Sequence, residues 1–566
     1  MSKSNWEQRK QSQDNGAHPN GIASSLLSIR NLEESESFLN PSFKDFSDPA
    51  SIYGCSEVAE YFSKAVKEKL KVAVIGDYDV DGVVSASMLK MFFDAFGVPC
   101  HVFLPHRIEQ GYGLNAKTMA SFLKDCDFHP DLVIAADCGT SSEEEISKLK
   151  ESGVKTVLVI DHHKPNEGMF CKSADAIMNW RLGPGEETCT AGQIFHLARL
   201  YSKKYMPKGK KFPSELSAFL PMAAVAIVAD IMPISGDNRI IVRKGLERMN
   251  SAPAGIVSLA KSCGMTENGS ITQKEIAFRI APKINASGRI DSPVGAFDLV
   301  MEKDETLAES HVETLNKWNK ERQIIQKDIS KEAIEQAKKS GFKNGIMVYN
   351  EGWHVGVVGI VASRLVEEFG VPAIVIGESE GKRKGSARSI QGVSVKSVMD
   401  TCSKVFEAYG GHDMAAGCSL KEDYYETAAI EFDKACSKWY EEHGKPEIKK
   451  IYDMELEIQD LNLATAKALK ETLYPYCDVS NPEPIFKLSN VTIVDTYVKD
   501  GDTWKLTKFK CSKFGSPSKL SFVTFSSDFD DILKSDDEVD VYFSFGQNTE
   551  GDWPPGLEVV DVVSHE

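Results

Sequence analysis

Between Lys71 and Asp161 the chain repeats one pattern three times: a short β-rich apolar run ends on an aspartate, with helical segments in between. VAVI (72–75) runs into GDYDVDG and a helical pattern over Ser85–Phe96. LVIAA (132–136) runs into Asp137-Cys138-Gly139 and a helical pattern over Glu143–Glu151, and VLVI (157–160) runs into Asp161-His162-His163. Strands alternating with helices predict a parallel sheet with crossover connections. In an open parallel sheet the carboxyl ends of the strands share one rim, where ligands bind. Asp77, Asp79, Asp81, Asp137, Asp161, His162 and His163 are therefore expected at one edge, and Asp230, at the end of AAVAIVAD, is placed to join them.

Taken singly, each aspartate reads as a helix N-cap or turn former. The same rim position three times over, with an Asp-His-His triplet, reads as a metal centre. Carboxylates packed this closely repel one another unless they share protons or hold a cation, and imidazoles extend the ligand set to borderline metals.

With 566 residues the chain is expected to form several modules. Residues 303–340 read as one charged helix, polar all round and suited to bridging domains. A second β/α pattern follows: GIMVYN, a helix over Val358–Phe369, PAIVIG and a Gly-rich return to about Ser437. From Ile451 onward short strands with turn residues suggest a small β-barrel. The net charge of −17 argues against binding nucleic acid by bulk electrostatics, but 22 acidic and only 10 basic residues fall after Lys450, leaving the body nearly neutral. Twelve cysteines without a CxxC pair read as free thiols. The polar start and the interrupted apolar run Leu220–Ile234 suggest a cytoplasmic protein with no membrane span.

GDYDVDG, ADCGTSS, DHHKP and AIVADIMPISGDNRI, in this order, resemble the four motifs of the DHH phosphoesterase superfamily. APKINASGRIDSP (281–293), GWHVGVVGIVASRL (352–365), GSARSI (385–390) and GGHDMAAG (410–417) resemble its RecJ branch and the DHHA1 domain found there. YPYCDVSNPEPIF (474–486) resembles the entry to the RecJ oligonucleotide-binding barrel. The resemblance implies an α/β chain with a parallel-sheet DHH domain (51–302), a connecting helix (303–340), a smaller α/β DHHA1 domain (341–445) and a C-terminal OB-like barrel (446–566), with residues 1–50 packing on the DHH domain. It implies two divalent ions, Mn²⁺ or Mg²⁺, held by Asp79, Asp81, Asp137, His162 and Asp230, with Asp137 bridging. Asp161 would orient His162, and His163 would face substrate phosphate. Related enzymes often carry a histidine four residues before the first metal aspartate; here that residue is Ile75, and Asp77 is the candidate substitute.

The implied activity is 5′-to-3′ hydrolysis of single-stranded DNA in repair and recombination, with a single-strand-binding protein and a helicase as partners. GESEGKRKGS (377–386) lacks P-loop spacing, so ATP is not implied. Arg107, Asn285, Arg289, Ser386, Arg388 and His412 are the candidate contacts to the terminal phosphate and first nucleotides. In the barrel, Trp504, Lys505, Lys508, Phe509, Lys510, Lys513, Phe514 and Lys519 interleave aromatic and basic residues, a pattern that grips single strands; a solvated hairpin is the bland alternative. Two rival functions share these motifs: a DHH–DHHA1 phosphodiesterase of short oligonucleotides or cyclic dinucleotides, which needs no barrel, and a catalytically dead scaffold, which would show eroded metal motifs.

Overall fold

A computed structural model describes residues 6–9, 21–32, 35–111, 113–165, 170–207, 209–379, 381–421, 424–447, 449–500, 505–513, 519–525, 529, 532–546 and 556–565. Two compact units share the chain: Asp48–Asp230 with Lys244–Ile448, and Met1–Ser47 with Ile231–Arg243 and Lys449–Glu566.

The first unit is built on the expected parallel sheet. Its strands are β1 (Val72–Ile75), β2 (Cys100–Phe103), β3 (Leu132–Ala136), β4 (Thr156–Ile160) and β5 (Ala176–Met178), in the order β2-β1-β3-β4-β5 and all parallel. β1, β3 and most of β4 are buried on both faces, as crossover helices on both sides require. The order reverses between β1 and β3, so a crevice opens at their carboxyl ends. Helix α1 (Val80–Ala95) follows β1 and starts five residues earlier than the apolar pattern suggested, because Asp79 caps it. Gly82, in its first turn, lies where a Cβ would meet the Asp77 backbone at 2.5 Å, so a residue without a side chain is required there. Helices α2 (Thr190–Lys204) and α3 (Phe219–Ala229) pack against α1.

A continuous helical stretch, Gln273–Ile290, contains one π-helical turn at Ile276–Ile280 and leads to the long helix α4 (Glu305–Ser340). α4 is not polar all round. It buries Ala308, Val312 and Leu315 near one end and Ile329, Ala333 and Ala337 near the other, and nothing between. The second patch joins Ile346, Val348, Trp353 and Val361 in the core of the second α/β domain. There the strands Ile346–Tyr349 and Ala373–Ser379 run parallel, and Lys382–Arg388, Ala415–Leu420 and Phe406–Gly411 continue the sheet antiparallel.

In the second unit, five strands close a barrel. Phe486–Asp500 pairs with Lys505–Ser512, that with Lys519–Thr524, that with Leu557–Ser564, that with Glu538–Phe545, and the last returns to Phe486–Asp500. Phe486, Phe509, Phe522 and Phe543 fill it. The N-terminal segment divides its contacts: Leu26 and Leu27 of helix Ile22–Ile29 lie in the barrel unit's core and Trp6–Gln8 pairs in parallel with Lys450–Tyr452, while Ser47 donates to Asp237 and the Phe38 carbonyl accepts from Arg239, within the span expected for the DHH domain. No described helix is long and apolar enough to cross a membrane.

Candidate metal and phosphate centre

The rim brings the predicted acids together. Ligand atoms of Asp77, Asp79 and Asp137 lie within 4.8 Å of one another, as do those of Asp81, His162 and Asp230, and those of Asp137, His162 and His163. His162 Nε2 stands 3.3 Å from Asp137 Oδ1 and 3.5 Å from Asp230 Oδ2, so Asp137 lies between the first two groups. Ile75 is fully buried in the apolar cluster under the sheet and cannot reach this centre, whereas Asp77 can.

Several acids also do the work of a cap. Asp79 accepts from the Gly82 amide at 3.1 Å. Asp81 accepts from the amides of Thr190 and Ala191 at 2.7 and 2.9 Å, fixing the start of α2 against the centre. Asp137 takes a positive φ of 65°, which a residue with a side chain adopts only when its surroundings impose it. Its Oδ1 accepts from Thr190 Oγ1 at 3.0 Å. Thr190 had escaped the sequence reading, and its only signal is a Thr-Ala-Gly run opening a helix.

Asp161 behaves differently from expectation. Its carboxylate accepts from the His162 and His163 amides and, at 2.8 Å, from His163 Nδ1, so the ring it orients is that of His163 and not His162. The turn folds the carboxylate back under its own backbone, out of reach of the first imidazole. Burial alone would raise Asp161, but the His163 bond and charge hold it ionised, well below the usual range. Burial likewise works against a charged His163, and the Asp161 bond with the surrounding carboxylates overcomes it, leaving the pKa at about 9. Burial lowers His162, keeping it in the neutral form that ligates metal.

The remaining acids register their crowding. Burial and then the Asp79 charge raise Asp77, burial and then Asp81 and Asp79 raise Asp137, and burial followed by the same pair brings Asp230 to about 8. Asp77 Oδ1 and His162 Nδ1 are buried with no hydrogen-bond partner. A cluster of carboxylates this dense, with an orphaned oxygen inside it, fits divalent cations.

Near the acids is a group of guanidiniums, of which Arg107 is close enough to lower Asp77. Arg289 is half-buried and donates to the Gly356 carbonyl at 3.0 Å. Burial, then Arg107 and Arg322, pulls it down to about 9. Arg388 donates to Ser386 Oγ at 2.8 Å and is lowered by burial and by Arg107, which itself lies over the Tyr78 ring. None of these four arginines has a carboxylate partner among the described residues; Arg322 instead donates to Gln326 and Asn319. Gly359, in the first turn of helix Val358–Phe369, sits so close that a Cβ would meet Ser386 Oγ at 3.0 Å and Arg388 Nη2 at 3.1 Å, so a helix N-terminus adds its partial positive charge. Asn285 lies one helical turn before Arg289. His412 is in the turn joining strands Phe406–Gly411 and Ala415–Leu420, and burial followed by the charges of His163, Lys164 and Arg181 lowers its pKa, which puts that turn at the rim.

The barrel candidates divide. Lys508 and Lys510 are exposed, and across the ladder they face Tyr497 and Asp495. Phe509, between them, points inward as the strand's two-residue period demands and stacks on Phe522. Lys513 pairs with Glu457 at 2.8 Å. Trp504 and Phe514 and the side chains of Lys505 and Lys519 lie outside the described residues.

Residues 71–227 match the DHH family N-terminal domain and residues 343–442 the DHHA1 domain. The single-stranded-DNA-specific exonuclease RecJ of Haemophilus influenzae is 30% identical over 474 residues, covering 80% of this chain and 80% of that protein. RecJ of Bacillus subtilis is 31% identical over 511 residues, and the match covers 87% of this chain but 62% of that longer protein. The crystal structure of Thermus thermophilus RecJ in complex with Mn²⁺ superposes with a TM-score of 0.78 at 25% identity, over 96% of this chain and 76% of that one. Two domain matches in the expected order, and a relative at 30% identity over four-fifths of both chains, establish that this chain belongs to the RecJ family of DHH/DHHA1 single-stranded-DNA-specific exonucleases.

Proposed function

We propose that the chain is a 5′-to-3′ exonuclease that hydrolyses single-stranded DNA to 5′-mononucleotides, acting in DNA repair and recombination. The observation that carries this reading is the pairing, in the same α/β unit, of a carboxylate cluster with a group of half-buried arginines that have no acidic partner among the described residues. Such arginines need an anion, and a terminal phosphate is one that Arg can grip in bidentate fashion.

Asp77, Asp79 and Asp137 would hold one Mn²⁺ or Mg²⁺, and Asp81, His162, Asp230 and Asp137 a second. When bound, two such ions activate water and stabilise the leaving oxygen of an in-line displacement. The protein supplies the rest. Arg107, Arg289, Ser386 and Arg388 hold the 5′-phosphate, Asn285 and His412 line the adjoining nucleotide, and protonated His163 offsets charge on the scissile phosphate. Asp161 keeps that imidazolium oriented. Lys508 and Lys510 supply exposed positive charge on the barrel. A single-strand-binding protein and a helicase are the proposed protein partners.

The rival phosphodiesterase of dinucleotides lacks support from the barrel and from the relatives. Digestion of a long 5′-phosphorylated strand and of a dinucleotide, each with Mn²⁺, separates the two: the long strand should be consumed at the lower KM. Turnover of the dinucleotide alone would overturn the proposal.

A further inference from the structure

Phe278 is 73% exposed, the most exposed of the large apolar side chains described. Isolated surface apolar residues need no explanation. This one, however, sits in the π-helical turn Ile276–Ile280 at the head of the helix that ends in Asn285 and Arg289. π-turns inside α-helices recur at functional sites.

The helix has two faces that can be read from its burial. Ile276, Ile280, Ile284 and Ser287 are buried and look into the domain. With about 100° per residue in the α-helical part and somewhat less in the π-turn, Phe278, Pro282 and Arg289 fall on the opposite face, within roughly 20° of one line. At the Arg289 end the second α/β domain covers the helix: Arg289 bonds to Gly356, and a Cβ on Gly356 would meet the Arg289 carbonyl at 2.4 Å. On a neighbouring face Gly288 lies so near Tyr78, in the loop of the metal aspartates, that a Cβ would meet its carbonyl at 3.0 Å. The same helical line thus starts at the arginine group beside the metal loop and runs outward to an uncovered phenyl ring, about 16 Å away at ~1.5 Å per residue. That is the span of a few nucleotides of an unpaired strand.

We propose that Phe278 is a stacking platform for one unpaired base of the DNA strand, a few nucleotides from the terminal phosphate held at Arg289. This inference rests on the single-strand exonuclease reading. An aromatic face accepts any base, so the platform would bind without sequence preference and add length-dependent affinity.

The test moves a single abasic nucleotide along a 5′-phosphorylated strand and measures KM and kcat with Mn²⁺ for the wild type, Phe278→Ala and Phe278→Trp. For the intact strand Phe278→Ala should raise KM about tenfold or more, with a much smaller change in kcat, and Phe278→Trp should restore it. One abasic position should raise the wild-type KM to the Phe278→Ala level while leaving Phe278→Ala itself insensitive. If the wild type digests the strand and Phe278→Ala shows the same KM, or the abasic effect is the same in both, the platform is refuted and the nuclease reading stands. If the variant loses kcat and melting temperature instead, Phe278 is structural and the proposal falls. A wild type that digests no single strand at all would overturn the nuclease reading and the platform with it.

Discussion

At the scale of single residues, the centre stores repulsion that a metal would relieve. Asp137 is buried, held at positive φ, and surrounded by Asp77, Asp79, Asp81 and Asp230. Replacing it with asparagine keeps the shape and removes one charge. Asp137→Asn should therefore cut nuclease activity to less than a tenth while leaving the metal-free melting temperature equal or higher. Mn²⁺ should raise the melting temperature of the wild type and do so far less for the variant, because ligand binding to the native state adds stability in proportion to affinity. A variant with wild-type metal stabilisation would remove Asp137 from the bridge. With Ile75 locked in the core, a first ion would find carboxylates only from Asp77, Asp79 and Asp137, while His162 would add a nitrogen to a second. That mixed donor set favours Mn²⁺ over Mg²⁺, so saturating Mn²⁺ should give the higher kcat, and Ca²⁺ should bind without useful turnover. Equal kcat in Mg²⁺ and Mn²⁺ would count against the assignment.

At the scale of elements, what the sequence made legible was whatever local chemistry repeats. Three strand ends bearing acids, the long helix and the glycine-rich return can be read from period and composition. Strand Cys100–Phe103, half-buried at the sheet edge, and the three-residue Ala176–Met178 offer too little pattern to detect. Phe509 was misread for a related reason: the interleaving with Lys508 and Lys510 that looked like a DNA grip is the alternation of a strand with one face in the core. The attachment of the N-terminal segment to the barrel unit was illegible because it joins residues more than 400 positions apart. There Arg30 grips Asp453 with two bonds of 3.0 and 2.7 Å, both side chains nearly fully buried, and Arg9 adds a third at 2.8 Å. Burial would raise Asp453, yet the Arg30 bond and charge hold it below the ordinary carboxylate range. A carboxylate depressed in the folded state adds stability above its unfolded pKa and loses it as pH falls through the folded value. Urea stability of the barrel unit should therefore decline on acidification below the usual aspartate range, and Asp453→Asn should flatten that decline. Leaving Arg30 buried and unpaired should cost about 3–5 kcal/mol at neutral pH. An unchanged urea midpoint in the variant would show that the pair is idle.

At the scale of the whole molecule, the direction of digestion follows from where the charges of the α/β unit stand. The arginine group lies beside the loop of the metal aspartates, with Gly288 close against Tyr78 and Arg107 over its ring, and Arg289, Ser386, Arg388 and the helix N-terminus at Gly359 come together from both α/β domains. The terminal phosphate of a strand end, which carries more charge than an internal one, is the anion this group of unpaired cations suits best. If that end is the 5′-phosphate, the linkage presented to the metals is the next one, and mononucleotides leave one at a time from the 5′ side. A duplex end would have to unpair to place one strand among these half-buried arginines, so blunt duplex should resist. A single strand labelled at its 5′ or its 3′ end, alone and annealed to its complement, makes these expectations visible: the 5′ label should appear early as mononucleotide, the 3′ label late, and the duplex should persist. Arg388→Ala should raise KM for 5′-phosphorylated strands about tenfold and change KM for 5′-hydroxyl strands far less, since a charged hydrogen bond contributes about 1.5–3 kcal/mol. Early release of the 3′ label, or equal losses on both kinds of 5′ end, would place the terminal phosphate somewhere other than this arginine group.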